Sequence, residues 1–188
     1  MNAHPASPTI REATDADAEA LFALHLEALQ AHPGAFAADP AETAATEGAW
    51  IGRLQRRLAA GTGTICLATD PEDNSVIGMS GIFCGMLAKT AHMATIWGMY
   101  VQPPWRGQGL AGRLLQACLA WAQRRDVYMV RLAVVATNTA AIRCYVTHGF
   151  SVYGVEPAAL RHDGVYYDEL LMARRVPRKA TRRCALPG

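Results

Sequence analysis

A glycine-rich segment at residues 101–111 has the composition of an anion-binding loop. It reads Val-Gln-Pro-Pro-Trp-Arg-Gly-Gln-Gly-Leu-Ala and joins an apolar, strand-like run to a long amphipathic stretch. The first N–H groups of a helix have no partner within it, and the helix dipole places about +0.5 of a charge there. Gly107 and Gly109 allow the backbone to approach a ligand closely, while Arg106 adds a planar cationic donor. The segment therefore predicts a site for a diphosphate group.

The residues around the glycines distinguish this segment from two common phosphate-binding loops. A Walker loop places Lys and then Ser or Thr directly after its last glycine, whereas Leu110 follows Gly109 here. The Gly-x-Gly-x-x-Gly pattern of dinucleotide-binding folds is present at 107–112, but an isolated match is weak evidence. The acidic residue expected about 20 residues later at the end of a second strand is missing, because Asp126 precedes the next apolar run.

Two segments resemble the hallmarks of the GCN5-related N-acetyltransferases, the GNAT superfamily. The Arg-x-x-Gly-x-Ala of residues 106–111 resembles the pyrophosphate loop of that family. Residues 132–150 resemble its second motif, in which a strand leads to Asn138, then to a short helix carrying Tyr145, then to Gly-Phe. The similarity extends over about residues 8–173. It implies the acyl-CoA N-acyltransferase fold and acetyl-CoA as cosubstrate. No metal is expected, because the sequence offers no plausible cluster of metal ligands.

The resemblance also assigns residues to the cofactor. The matching loop of the family binds the pyrophosphate, the preceding strand runs along the pantetheine arm, and the matching Asn contacts that arm. Carried onto this sequence, the cofactor-binding residues are Met99, Tyr100, Val101, Arg106, Gly107, Gln108, Gly109, Leu110, Ala111, Asn138 and Tyr145.

Tyr145 is the residue expected to act as general acid. It lies seven residues after Asn138, so that two helical turns place both side chains on one face. Attack of an amine on a thioester expels a thiolate, and a phenol within reach can protonate it. The family's matching Tyr lies near the cofactor sulfur. The alternative is a Tyr packed under Phe150 with its hydroxyl bonded locally.

The strand before the loop is expected to supply the oxyanion donors. In the family the matching strand bulges away from its neighbour, and a bulge at Met99 to Val101 would free N–H groups for the thioester carbonyl. Gly98 permits such a bulge without requiring it. The alternative is an ordinary buried strand with every amide paired.

The general base is the weakest part of the resemblance. Many family members carry Glu or His four to six residues before the position of Val101, where this chain has Thr95 and Trp97. His92 is the nearest titratable candidate, and the alternative is a solvated or core histidine. The proton of an alkylammonium acceptor would otherwise pass through water to one of three carboxylates, Glu156, Asp168 or Glu169.

Aromatic side chains are expected to line the acceptor groove, although aromatic residues in strands more often belong to the core. The candidates are Trp97, Tyr100, Tyr153, Tyr166 and Tyr167, with Trp50 and Arg53 on a helix above them.

The hydrophobic periodicity predicts an α/β fold with a mixed, twisted sheet of six to seven strands flanked by helices. Leu114, Cys118 and Trp121 form one apolar stripe on the helix that starts at Leu110. The predicted strands lie around Ile10 and over 65–69, 76–84, 95–101, 127–135, 150–155 and 166–172. The other predicted helices run from Thr14 to Pro33, over 42–58 and over 138–148.

Composition predicts one domain at residues 1–173, followed by a basic, flexible tail at 174–188. The tail carries six of the 18 basic side chains and no acidic one, which leaves the body with 12 basic and 16 acidic groups. That balance and the lack of interleaved aromatics do not indicate nucleic-acid binding. Five cysteines without a Cys-x-x-Cys pair, and no secretory or membrane-spanning run, lead us to expect a cytoplasmic protein with reduced thiols.

The sequence thus predicts an N-acetyltransferase that acts on an amine by direct attack in a ternary complex. Two alternatives stay open: a non-catalytic acyl-CoA sensor of the same fold, and a module that binds nucleic acid or a partner through its basic tail. The acceptor, a small molecule or a protein amine, is not identified. The length of the acyl group and the oligomeric state, a homodimer included, are also left open.

Overall fold

The computed structural model describes residues 7–177, which form seven strands and five helices. In chain order these are β1 (Thr9–Glu12), α1 (Ala18–Ala31), α2 (Pro40–Ala44), α3 (Glu47–Ala60), β2 (Gly63–Thr69), β3 (Val76–Cys84), β4 (Met93–Val101), α4 (Leu110–Arg124), β5 (Met129–Val135), α5 (Thr139–Thr147), β6 (Ser151–His162) and β7 (Val165–Arg175). Within the described residues, no helix is long and apolar enough to cross a membrane.

All seven strands belong to one sheet in the order β1-β2-β3-β4-β5-β7-β6. Neighbouring strands are antiparallel except β4 and β5, which are parallel. The parallel pairing covers only Met93–Thr95 against residues 129–131, whereas β4 continues to Val101 and β5 to Val135. The sheet is therefore mixed, as predicted, and it opens along a line between its two middle strands.

Helices cover both faces of the sheet. On one face α4 buries its apolar stripe, in which Leu114, Cys118 and Trp121 are at most 1% exposed, as the periodicity predicts. On the other face α1 and α3 cover β2, β3 and β4 through residues such as Leu21 and Trp50. The open line between β4 and β5 consequently lies in the middle of the domain, with packed layers on both sides.

The entry into α1 is fixed by a buried carboxylate. Asp17 accepts two hydrogen bonds from Arg11, at 2.6 and 2.7 Å, and further bonds from the amide and hydroxyl of Thr14. The Arg11 guanidinium holds the pKa of Asp17 well below its usual range, although burial opposes it. This interaction therefore stabilises the fold above the ordinary Asp pKa of about 3.9 and is lost as the pH falls further.

The predicted helix over 42–58 is wrong in one respect, because the chain forms two helices there. Asp39 caps α2 by accepting from the amides of Ala41 and Glu42. Thr46 then leaves helical geometry, and its hydroxyl donates to carbonyls of the preceding turn, which ends α2. Gly61 ends α3 in the left-handed region at φ 63°, as its sequence position indicates.

Strand β7 continues two residues past residue 173, where the predicted tail begins. Arg174 and Arg175 pair with β5 as part of β7, and the Val176 side chain is only 6% exposed. Arg174 also donates to the carbonyl of His148 at 2.6 Å, which ties the strand to α5. The remaining basic residues of the predicted tail, Arg178, Lys179, Arg182 and Arg183, lie outside the described residues.

Candidate active site

A cavity of about 920 Å³ occupies the opening between β4 and β5. One end lies at the N-terminus of α4, where Gly109 and Ala111 line it. Its walls include Val101 of β4 and Val135 of β5. The segment that follows α1 also lines the cavity through His32 and residues 34–36, and Gly34 packs against the ring of Tyr167. The cavity therefore runs from an anion-binding end toward the layer formed by α1.

The start of α4 presents free backbone donors to this cavity. Gly107 and Gly109 adopt φ values of 77° and 75°, which residues with side chains reach only under strain. The first helical hydrogen bond is donated by the amide of Arg113 to the carbonyl of Gly109. The amides of Leu110, Ala111 and Gly112 therefore have no partner within the helix, and all three residues line the cavity. This geometry suits a diphosphate, as the sequence predicts.

Arg106 lines the cavity but already has two partners in the protein. Its Nε donates to the carbonyl of Val101 at 2.8 Å, and a terminal nitrogen lies 3.0 Å from Nε2 of His32. Arg106 thus links the end of β4 to the residue that follows α1. Gln108, also predicted to bind the cofactor, is exposed, is not among the residues that line the cavity and donates to Pro104 at 3.4 Å.

Two other arginines also line the cavity, although sequence reasoning did not select them. Arg113 of α4 and Arg143 of α5 are exposed, and a terminal nitrogen of Arg113 donates to the carbonyl of Pro8 at 2.8 Å. Arg113 lies one turn into the helix that follows the loop, and this position is the signal that would have found it. Gly112 allows α4 to approach α5 closely, because a Cβ there would lie 2.8 Å from the imidazole of His148.

Strand β4 carries a bulge, which lies at Gly98 and Met99 rather than across Met99 to Val101 as predicted. Trp97 pairs with Gly81 and Tyr100 with Met79, so that two residues of β4 oppose one of β3. Gly98 has a φ of 62°, the conformation that this kind of bulge requires. The bulge changes the alternation of side chains, and Trp97 and Tyr100 therefore pack in the same layer, against α1 and α3.

Beyond the bulge, a backbone donor of β4 lies on the side of the cavity. The amide of Gln102 donates to Ile77 of β3, whereas the carbonyl of Val101 accepts from Arg106. Because successive residues of a strand point their polar groups to opposite sides, the N–H group of Val101 faces the opening toward β5. No β5 residue pairs with β4 beyond Thr95, so this donor is available to a ligand.

Asn138, the N-cap of α5, and Tyr145 of α5 both line the cavity. The side chain of Asn138 caps this helix by accepting from the amide of Ala141 at 3.2 Å. Tyr145 is 6% exposed and its ring centroid lies 6.0 Å from that of Phe150, yet its hydroxyl has no hydrogen-bond partner among the described residues. Burial raises the pKa of Tyr145, so that the phenol keeps its proton near neutral pH.

The candidate bases are widely separated. His92 is exposed at the start of β4, beside Tyr128, and about 20 Å of strand separates it from Met99. Glu169 is half-buried on the same face of β7 as Tyr167, and it pairs with Val135, which also lines the cavity. Burial and the nearby charge of Glu156 raise the pKa of Glu169.

The other predicted residues divide into three places. Asp168 is exposed and accepts from the amide of Ala158 at 2.8 Å. Of the predicted aromatic lining, Tyr100 and Tyr167 reach the large cavity, while Tyr153 and Tyr166 are exposed on β6 and β7. Trp97, Trp50 and Arg53 line a second cavity of about 230 Å³ between α3 and the sheet.

Within residues 7–177, no cluster of His, Cys, Asp or Glu could hold a metal ion.

Comparison with known proteins identifies a family for this arrangement. The model of the acetyltransferase (GNAT) family matches residues 20–150. No protein of curated function has a sequence that matches the chain.

Solved structures share the fold. A GNAT-family acetyltransferase from Streptococcus pneumoniae superposes with a TM-score of 0.79 at 22% identity, over 91% of this chain and 100% of that one. The yncA protein of Salmonella typhimurium, solved with acetyl-CoA, has a TM-score of 0.77 at 22% identity, over 97% and 99% of the two chains. A GCN5-related N-acetyltransferase from Kribbella flavida has a TM-score of 0.70 at 26% identity, over 89% and 97%.

Proposed function

Because this chain belongs to the acetyltransferase (GNAT) family, we propose that it transfers an acetyl group from acetyl-CoA to a primary amine. The observation that carries the proposal is the cavity between β4 and β5, which joins the free amides of α4 to the free amide of Val101 in β4. Such a cavity accommodates a long ligand with an anionic end and a reactive carbonyl. The amine would attack directly, with both substrates bound at once.

The cofactor would lie along the length of the cavity. Its diphosphate would accept hydrogen bonds from the amides at the start of α4, with Arg113 and Arg143 nearby as counter-charges. Its pantetheine arm would extend between the strands beside Val101, with Asn138 on the opposite wall. The yncA structure, which contains acetyl-CoA and shares this fold, supports the assignment.

The chemistry follows from the groups around the thioester. The amine nitrogen forms a bond to the carbonyl carbon, and the N–H group of Val101 would stabilise the oxyanion. Collapse of the intermediate breaks the C–S bond and releases the CoA thiolate. Tyr145 would give its proton to that sulfur, a role for which a buried phenol with a free hydroxyl is suited. The proton that the attacking nitrogen loses as it becomes an amide would return through water to the Tyr145 phenolate.

The ammonium proton of the amine must leave before or during the attack. Glu169 is the carboxylate we propose as its acceptor, through water, because it pairs with Val135 and lies on the same face of β7 as Tyr167, and both of these residues line the cavity. Its raised pKa brings its basicity closer to neutral pH, where a general base works best. Neither Thr95 nor Trp97 of β4 can act as a general base. The lack of a base at these two positions favours an acyl-CoA sensor as the second candidate function.

Substitution of Gly109 by Ala should weaken acetyl-CoA binding at least about tenfold. The positive φ costs a residue with a side chain roughly 1–2 kcal/mol, and relief of that strain would misdirect the amides of α4. Gly164→Ala is the matched control, since Gly164 has a φ of 78° in the β6–β7 turn and open space around it. Calorimetric titration that gave the same affinity for both variants would contradict this account.

Substitution of Tyr145 by Phe should lower kcat by about a hundredfold and leave the affinity for acetyl-CoA within about twofold. The ring and its packing are retained, and only the proton donor is lost. Thiol release from acetyl-CoA with a panel of primary amines measures the effect, with Tyr128→Phe as the control at a tyrosine outside the cavity. Binding of acetyl-CoA by the wild type without thiol release from any amine would favour the sensor.

The pH dependence of kcat tests Glu169. The group accepts a proton only when it is ionised, so kcat should fall as the pH drops through its raised pKa, above the ordinary value of about 4.3. Glu169→Gln should lower kcat and abolish this acid limb. Glu156→Gln removes a neighbouring negative charge and should move the limb to lower pH without loss of rate at neutral pH. An unchanged profile in Glu169→Gln would exclude this residue as the base.

A further inference from the structure

The second half of β4 pairs with β3 but not with β5. Pairing with β5 ends at Thr95, but the residues expected to touch the thioester, Met99 and Val101, lie four and six residues further on. A strand that pairs on one side only, and whose ladder is interrupted by a bulge, has fewer backbone hydrogen bonds to fix its position. Donors that stabilise an oxyanion must nevertheless be fixed before the reaction, since a shift of about 1 Å costs about a hundredfold in rate.

A single carboxylate of α1 contacts this half of the strand twice. Oε1 of Glu27 accepts from the hydroxyl of Tyr100 at 2.9 Å, and Oε2 accepts from Nε2 of Gln102 at 2.8 Å. Tyr100 and Gln102 flank Val101 in the strand, so the two bonds hold it from both sides. Hydrogen bonds to an ionised group are roughly twice as strong as neutral ones.

A second contact joins the same strand to the end of α1. Arg106 donates to the carbonyl of Val101 at 2.8 Å, and its other side meets His32, the residue that follows α1, at 3.0 Å. The guanidinium also lies over the ring of Tyr100, at 5.5 Å from its centroid. The Val101 carbonyl and the side chains of both its neighbours are thus connected to α1 or to the residue that follows it.

We propose that Glu27 is a positioning residue for acetyl transfer, and that its two hydrogen bonds replace the missing β5 pairing and hold the Val101 amide in line with the thioester. This inference rests on the proposed function. Glu27 is not among the residues that line the cavity, so it would act through β4 rather than on the substrates.

Two substitutions of Glu27 separate the effect of its hydrogen bonds from the effect of its volume. Glu27→Leu keeps a similar volume and removes both acceptors. Glu27→Gln keeps an oxygen for the Tyr100 hydroxyl, and the amide of Gln102 can turn to accept from the new NH₂ group. If hydrogen bonds position the strand, Gln should restore what Leu removes. If Glu27 only contributes to general stability, kcat per folded molecule should not change in either variant.

The experiment measures kcat, the affinity for acetyl-CoA, and amide hydrogen exchange over residues 98–102. Glu27→Leu should lower kcat tenfold to a hundredfold and change the affinity less than about threefold, because the diphosphate end is untouched. Exchange at the paired amides of Tyr100 and Gln102 should accelerate. Glu27→Gln should remain within about threefold of the wild type. Glu19→Leu, an exposed position of the same helix, is the control and should have no effect.

A second variant covers the case in which Glu27→Leu fails to fold. Gln102→Leu removes one of the two bonds at a half-exposed residue that does not line the cavity, and it should lower kcat about threefold to tenfold. Wild-type kcat and exchange in both leucine variants would overturn the proposal, as would equal losses in Glu27→Gln and Glu27→Leu. If the wild type showed no transferase activity, the proposed function would fail, while the exchange data would still decide whether Glu27 holds β4.

Discussion

The separation of β4 from β5 is the feature on which the rest of the site depends. Two parallel strands that pair for only three residues and then diverge leave unpaired backbone groups in the middle of the domain. Unpaired polar groups are costly to bury, so a stable fold must bring either water or a ligand to them. The cavity of about 920 Å³ provides that access, and it connects these groups with the free amides at the start of α4.

Several local features act together to keep this opening in shape. The bulge at Gly98 turns Tyr100 toward α1, where Glu27 binds its hydroxyl. Arg106, which a sequence motif associates with phosphate, instead forms hydrogen bonds to the carbonyl of Val101 and to the imidazole of His32. The layer formed by α1 therefore does more than cover the sheet, because it supplies on one side the restraint that a neighbouring strand would normally give.

Sequence alone predicted the parts of the site that depend on local chemistry. The glycines at 107 and 109, the start of α4, and the placement of Asn138 and Tyr145 on one helix face all follow from spacing and backbone preference. Contacts between distant residues did not follow from it: Arg106 and His32 are 74 positions apart, and Tyr100 and Glu27 are 73 apart. His92 lies only seven residues before Met99 in the sequence, but seven residues of extended strand span about 20 Å.

The most direct test of the account is thermal unfolding with acetyl-CoA, free CoA or NAD, each at a large excess. A ligand at about 100 times its dissociation constant adds roughly 2.7 kcal/mol to the stability of the folded state. For a domain of this size we expect a rise in Tm of about 5–10 °C with both CoA species and none with NAD. Unchanged unfolding with acetyl-CoA and CoA would contradict the assignment of the cavity between β4 and β5 to this cofactor.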